Sequence, residues 1–136
     1  MIVRIGTVLK VFPADGKVQV TFEDTGSSSL PLPMMAYGQE YAMPKVGDDV
    51  ITLHLQNGSS KGVCLGRYYG NGNEPKASSG YRKDFDDDAY IECNNGEFKI
   101  DADKVILKCS YKTVTLEDLI KRIERLEELL SLPNTI

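Results

Sequence analysis

Apolar and polar residues alternate along the first seventy residues of the chain, with the two-residue period of β-strands. The alternating runs are residues 1–12, 17–23, 49–56 and 62–69. Turn-forming residues separate them, including Asn57 and Gly58, the dipeptide that best tolerates the positive φ angles of a tight hairpin. Several short strands joined by turns predict a small β-barrel or sandwich rather than an α/β fold.

The alternation stops after this region and then returns in shorter pieces. Residues 71–88 are rich in Gly, Asn, Ser and Asp without periodicity, and we expect them to form a linker. Three short strands are predicted within residues 89–111, and their apolar positions are Ile91, Phe98, Ile100, Val105 and Leu107. Three such strands make a core too thin to be stable alone. Wrapping three copies about one axis would close these faces into a β-prism, so the pattern predicts a trimer.

The last segment, residues 113–132, has the pattern of an amphipathic α-helix. Thr115 and Asp118 are spaced as a capping box at its start, and Pro133 is placed to end it. The apolar positions follow the three- and four-residue spacing of a coiled-coil seam, and they are Leu116, Leu119, Ile123, Leu126 and Leu130. We expect a trimeric coiled coil, with a helix folded back onto the barrel as the alternative.

Two charged residues of this helix extend the coiled-coil interpretation. In the heptad frame of the seam, Arg122 lies at a g position and Glu127 at the next e position, five residues later. Side chains at these positions form salt bridges between parallel chains. We therefore expect Arg122 and Glu127 to contribute to the trimer interface.

Three segments of the N-terminal half carry a family resemblance. They are RIGTVLKVFPADGKVQVTF (residues 4–22), GQEYAMPKVGDDVITLHL (38–55) and GVCLGRYY (62–69). In this order and spacing they resemble the oligosaccharide/oligonucleotide-binding-type (OB) barrel of phage baseplate assembly protein V, a domain also found in type VI secretion spike proteins. The resemblance covers residues 1–70 and implies an OB barrel that docks onto a central hub while three chains form a spike.

The chain departs from this family at the tip of the spike. Some members end in His-x-His motifs that bind iron, but this chain has one histidine, His54, within the predicted barrel. A separate tip protein would have to supply such a point. Because His54 alternates with Leu53 and Leu55, we expect it to face outward from the barrel.

A cluster of methionines and tyrosines is the candidate surface for docking to the hub. Its members are Met34, Met35, Tyr37, Tyr41 and Met43. Flexible thioethers and amphipathic rings adapt well to partner surfaces. The alternative role of the same residues is to close the barrel.

Composition and charge narrow the range of partners. The net charge is -4 and tryptophan is absent, whereas single-strand binding uses a basic groove and stacking aromatics, so we expect no nucleic-acid partner. No run of 18 apolar residues or basic leader is present, so we expect neither a membrane anchor nor a secretory signal. The cysteines, which form no C-x-x-C motif and are expected to be small core residues, are Cys64, Cys93 and Cys109.

Candidate chemistry is sparse. Asp84, Asp86 and Asp88 have the spacing that begins a calcium loop, but Ala89 and Asn95 stand where the loop needs Gly and Glu. A lone histidine without a nucleophile in a shared motif makes no triad. We therefore expect no enzymatic activity, no cofactor and no metal site.

These patterns together predict a mainly β protein with an OB-type barrel, short β-prism or β-helix-like strands and a C-terminal coiled-coil helix. The expected function is that of a homotrimeric spike or hub-tip subunit in the baseplate of a phage tail, or in a related contractile injection machine. Such a virion protein would be assembled in the cytoplasm of a bacterial host. Two alternatives are an OB-fold module for glycan or single-stranded nucleic acid, and an accessory domain for a cell-wall hydrolase carried on another chain.

Overall fold

The computed structural model describes residues 1–55 and 61–130, and this part of the chain is mainly β with one α-helix at its C-terminal end. The chain divides into two compact units, Met1–Glu74 and Pro75–Ile136. The predicted hairpin turn at Asn57 and Gly58 and the helix stop at Pro133 lie outside the described residues.

The N-terminal unit contains one antiparallel sheet. Its strands are β1 (Ile2–Phe12), β2 (Lys17–Phe22), β3 (Ser27–Ser28), β4 (Leu32–Pro33), β5 (Asp49–His54) and β6 (Gly62–Arg67). The strand order is β3-β2-β1-β5-β6, and β4 also pairs with β2. Beyond β4, Met34 forms a parallel bridge with Cys64 of β6. One short segment therefore contacts strands from both ends of the β2-β1-β5-β6 order.

The core of the N-terminal unit lies on one face of this sheet. Its buried apolar residues are Val8, Val18, Val20, Phe22, Leu32, Val50 and Cys64. Met34 and Met43 pack against this cluster from the segment that follows β4. Residue alternation along β2 and β5 places every second side chain inside, as a sheet with one covered face requires.

The outward orientation predicted for His54 is wrong. Its side chain is buried, with 1% of its surface accessible, whereas Leu55 is exposed. The prediction assigned the leucine-bearing face of β5 to the core, but the face that carries Val50, Thr52 and His54 is the buried one. On the same side of the sheet, Gly6 of β1 lies so close to β2 that a Cβ would collide with the Val20 side chain.

The C-terminal unit contains two small sheets followed by the helix. A three-stranded antiparallel sheet is formed by β7 (Tyr81–Asp84), β8 (Tyr90–Asn94) and β9 (Glu97–Asp101). A second pair is formed by β10 (Ile106–Lys108) and β11 (Thr113–Thr115), directly before α1 (Leu116–Leu129). Strand β7 forms inside the segment expected to be a linker, so the sequence analysis missed it.

The start of α1 follows the sequence prediction. Thr115 is the N-cap, and its Oγ1 accepts a hydrogen bond of 3.1 Å from the backbone N–H of Asp118. This bond satisfies one of the free donors in the first helical turn. Lys121 and Glu117 form an exposed ion pair of 2.7 Å along the helix.

Candidate self-association surface

The two faces of the β7-β8-β9 sheet differ sharply in polarity. Cross-strand pairing aligns Tyr81 with Cys93 and Cys93 with Phe98, and it aligns Ile91 with Ile100 in the next row on the same face. Phe98 is 65% exposed and Ile100 is 58% exposed. The structure thus collects three predicted interface residues, Ile91, Phe98 and Ile100, on one mainly apolar face, where Lys83 pairs with Ile91 at the edge of the sheet.

The opposite face of this sheet is satisfied by polar contacts of its own. Arg82 donates a bidentate pair of hydrogen bonds to Asp84, at 3.0 and 2.9 Å, and lies 3.7 Å from Glu92. Its guanidinium also stacks 3.7 Å from the centre of the Tyr90 ring. The hydrogen bond from Arg82 lowers the pKa of Asp84 below its ordinary value. This face suits water, so the apolar face is the one that lacks a covering layer.

The second pair of strands and the helix present more apolar surface. Leu107 pairs with Val114 across the two strands, and both Ile106 and Leu107 are exposed. Val105 lies just before β10 and is half-buried, and its carbonyl accepts a 2.9 Å hydrogen bond from the N–H of Leu116. The predicted interface residues Val105 and Leu107 therefore flank the start of the helix.

The predicted seam of α1 is largely exposed within the single chain. Four of its five residues are exposed and only Ile123 is half-buried; the exposed ones are Leu116, Leu119, Leu126 and Leu130. An exposed leucine seam on a capped helix is the arrangement that coiled-coil association covers. The seam and the apolar sheet face belong to the same unit.

The two charged residues predicted at the interface have different surroundings. Arg122 is exposed, whereas Glu127 is the most buried residue of α1 and is 8% accessible. Burial in its own chain is not what an interchain salt-bridge position requires. Their pairing between chains stays a prediction.

None of the apolar side chains in residues 75–130 of the C-terminal unit is buried. Ordering a chain costs about 1–2 kcal/mol per residue in backbone entropy, which apolar burial must offset. Exposed apolar faces of this kind favour association with a partner that covers them. Self-association would cover the sheet face and the helix seam together.

The predicted hub-docking cluster is divided by the structure. Met34 and Met43 are half-buried and pack against the core. Met35, Tyr37 and Tyr41 are exposed, and the Tyr41 hydroxyl donates a 3.3 Å hydrogen bond to the carbonyl of Pro13. Only these three remain available to a partner.

The remaining candidate residues are the three cysteines and the acidic cluster around Asp84. Cys64 is buried as predicted, and burial raises the pKa of its thiol, but Cys93 and Cys109 are exposed, contrary to prediction. Asp84 contacts Lys76 as well as Arg82. Within residues 1–55 and 61–130, no group of three acidic, histidine or cysteine side chains is arranged to hold a metal ion.

Comparison with known proteins adds no family assignment, because no protein-family model matches the chain and no curated protein is significantly similar to it. In the described part of the chain, no helix combines the length and hydropathy needed to span a membrane.

Proposed function

We propose that this chain is a structural subunit of a phage tail baseplate or a related contractile injection machine, where it forms a homotrimeric spike or hub tip. The observation that carries the proposal is the C-terminal unit, whose described residues, 75–130, bury no apolar side chain while presenting an apolar sheet face and a leucine seam. Both surfaces suit association of identical copies.

In this proposal the C-terminal unit forms the shaft of the spike. Ile91, Phe98 and Ile100 of three chains meet about the axis, and the helices continue as a short bundle through the seam residues. The function is mechanical rather than catalytic. A trimer held by sheet faces and a helical seam resists shear, because separating the chains exposes all of these apolar contacts together.

The N-terminal unit is the part proposed to dock onto a hub protein. It has its own core, and the bridge between Met34 and Cys64 supports a closed OB-type barrel, the fold implied by the family resemblance. The exposed Met35, Tyr37 and Tyr41 offer adaptable contacts for that partner. A separate tip protein would complete the spike, and assembly would take place in the cytoplasm of the bacterial host.

The number of copies in the native particle tests this proposal. Sedimentation equilibrium of the full chain at micromolar concentration should give a mass of three 15.1 kDa chains or a multiple of three. A particle that is monomeric throughout this range would contradict the spike function. Agreement would still leave the hub to be identified by its retention on the immobilised trimer.

A further inference from the structure

The face of the N-terminal sheet that points away from the core is apolar as well. Its central residues are Val3, Ile5, Ile51, Leu53, Val63 and Leu65, and we refer to them as the outer sheet face. Val3 pairs with Leu53, which pairs with Val63, and Ile5 pairs with Ile51 in the neighbouring row. Val3 is 65% exposed and Ile5 is 61% exposed. This surface plays no part in the core, which lies on the opposite side.

The outer sheet face is uncharged at its centre and polar at one end. Neither of its two rows contains an ionisable side chain. At one end, Thr7 donates a 3.0 Å hydrogen bond to Asp49, and Arg67 lies 3.5 Å from Asp48. At the other end, the exposed Leu55 extends the apolar surface beyond β5. A centre without charged side chains is a feature of the buried core of protein interfaces.

The size of this surface is also informative. From the exposed fractions of its members, the apolar area is on the order of 500 Å², at the upper end of what a monomeric protein usually shows. Two such faces packed together would remove about 1,000 Å² from water, the lower bound for a specific interface. One face therefore buries enough area for a specific interface only when it meets a surface of similar extent.

We infer that the outer sheet face is a self-association surface, through which two copies of this chain pack sheet on sheet about a two-fold axis. Sheets stack face to face at a spacing of about 10 Å by interdigitating side chains such as Val, Ile and Leu. An identical patch is self-complementary under two-fold symmetry. Because the two rows are uncharged, chains that each carry a net charge of -4 can approach there without placing like charges in contact.

A second copy fits this face better than a different protein does. Specific recognition of a different partner relies on complementary charges across the interface, and the central rows offer none. Only the expected number of chains in the particle rests on the proposed trimer. Where the C-terminal unit joins three chains, the smallest particle in which every outer sheet face is paired has six chains.

The copy number of the full chain separates this inference from the proposed function. Native mass spectrometry at micromolar concentration should show six chains. A particle of two chains supports the paired sheets and contradicts the trimer. A particle of three chains supports the trimer and overturns the pairing, which leaves the face to a different protein. A monomer overturns both.

Lysine substitutions locate the contact. Ile5→Lys places a charge at the centre of the outer sheet face, at an exposed position where the longer side chain meets no core residue. The expected result is a particle with half the copy number, six chains becoming three. Gln19→Lys is the matched control, because Gln19 lies on the polar outer surface of β2 between two buried valines, and its copy number should not change.

A second substitution provides an independent test of the contact if the Ile5→Lys variant fails to fold. Val3→Lys tests the neighbouring row and should halve the copy number in the same way. Circular dichroism and the urea midpoint of each variant establish that its barrel is folded. Folded Ile5→Lys and Val3→Lys variants that keep the wild-type copy number would overturn the inference.

Discussion

At the scale of single residues, Gly6 lies where β1 approaches β2 so closely that no side chain fits. A Cβ there would collide with the Val20 side chain and come within 2.7 Å of the Thr21 carbonyl oxygen. Neither neighbour can move easily, because Val20 is in the core and the carbonyl belongs to the backbone of a paired strand. The glycine therefore fixes the position of the first strand over the core.

Gly6→Ala should destabilise the N-terminal unit by about 2–4 kcal/mol, the cost of overpacking a rigid site. Urea unfolding followed by tyrosine fluorescence measures this loss. Gly70→Ala is the matched control, because its Cβ would come no closer than 3.7 Å to any neighbour, and it should shift the midpoint little. Equal midpoints for the two variants would contradict the close approach described for Gly6.

His54 is a buried ionisable group in the same unit. Its Nε2 lies 2.8 Å from the Thr52 hydroxyl, and its ring packs edge-on against Phe22 at 5.7 Å. The guanidinium of Arg4 in turn stacks 3.7 Å from the centre of the Phe22 ring and forms an ion pair with Asp24. Burial, and then the charge of Arg4, lower the pKa of His54 below its ordinary 6.5, while the backbone of Lys61 partly opposes them.

This lowered pKa predicts acid sensitivity of the N-terminal unit. Below pH 6.5 the unfolded chain binds a proton at this histidine while the folded unit does not, so stability falls as pH drops through the folded pKa. Above pH 6.5 the histidine is neutral in both states and contributes no slope. His54→Gln keeps a polar partner for Thr52 but cannot titrate. Urea midpoints measured from pH 7.5 to pH 5 should fall more steeply for wild type than for His54→Gln, and parallel curves would contradict this account.

At the scale of elements, α1 is a helix whose most apolar side has no cover in the single chain. Ile123 is the central residue of the seam and the least exposed of its five members. Ile123→Asp would place a carboxylate in the dry centre of a bundle, at a cost of several kcal/mol per chain. We expect the contact through the helices to be lost, so that the number of chains in the particle falls, while the N-terminal unit stays folded. Sedimentation velocity measures the first effect and the urea transition of the N-terminal unit the second.

The matched control for this helix is Arg125→Asp. Arg125 is exposed and lies outside the seam, so the variant adds the same side chain with a larger change in charge. It should remain associated. An Ile123→Asp variant that stays as tightly associated as Arg125→Asp would mean that the seam is not the contact between chains.

Local signals in the sequence predicted most elements, but not the choice of strand face. The capping of α1 by Thr115 was predictable because it depends on residues three apart. Strand β7 was missed because its sequence, Tyr81–Asp84, alternates no apolar residues and gains its order from pairing with β8. His54 was placed outside because the opposite face of β5, with Ile51, Leu53 and Leu55, is the more apolar one, and which face is buried depends on packing against other strands.

The sequence predicted some residues of the candidate interface and missed others. Spacing identified Ile91, Phe98 and Ile100, which do share one face. It could not identify Tyr81, whose strand was assigned to a linker, or separate Met34 and Met43, which face the core, from their exposed neighbours. Which side of a loop faces inward depends on contacts between distant segments, and residue type alone does not report these contacts.

At the scale of the whole molecule, charge and composition separate the proposed spike from a nucleic-acid-binding barrel. The chain has 16 basic and 20 acidic residues and no tryptophan. We expect no salt-dependent binding of single-stranded DNA or RNA, because such binding needs basic side chains that neutralise phosphates and release the counterions condensed on the nucleic acid. Fluorescence anisotropy of a labelled oligonucleotide, titrated with the full chain at low and at physiological salt, checks this. Tight binding that weakens steeply as salt increases would favour the OB-fold module instead.

The unequal cores of the two units have a consequence for timing during synthesis. The unit with its own core comes first along the chain, so it can fold while the ribosome is still translating the second. In the proposed trimer the second unit folds only on meeting other chains, so its rate of folding rises with a power of their number in the cell. Trimers would then form abruptly once expression passes a threshold, and chains made before it would carry an unprotected second unit that proteases can remove.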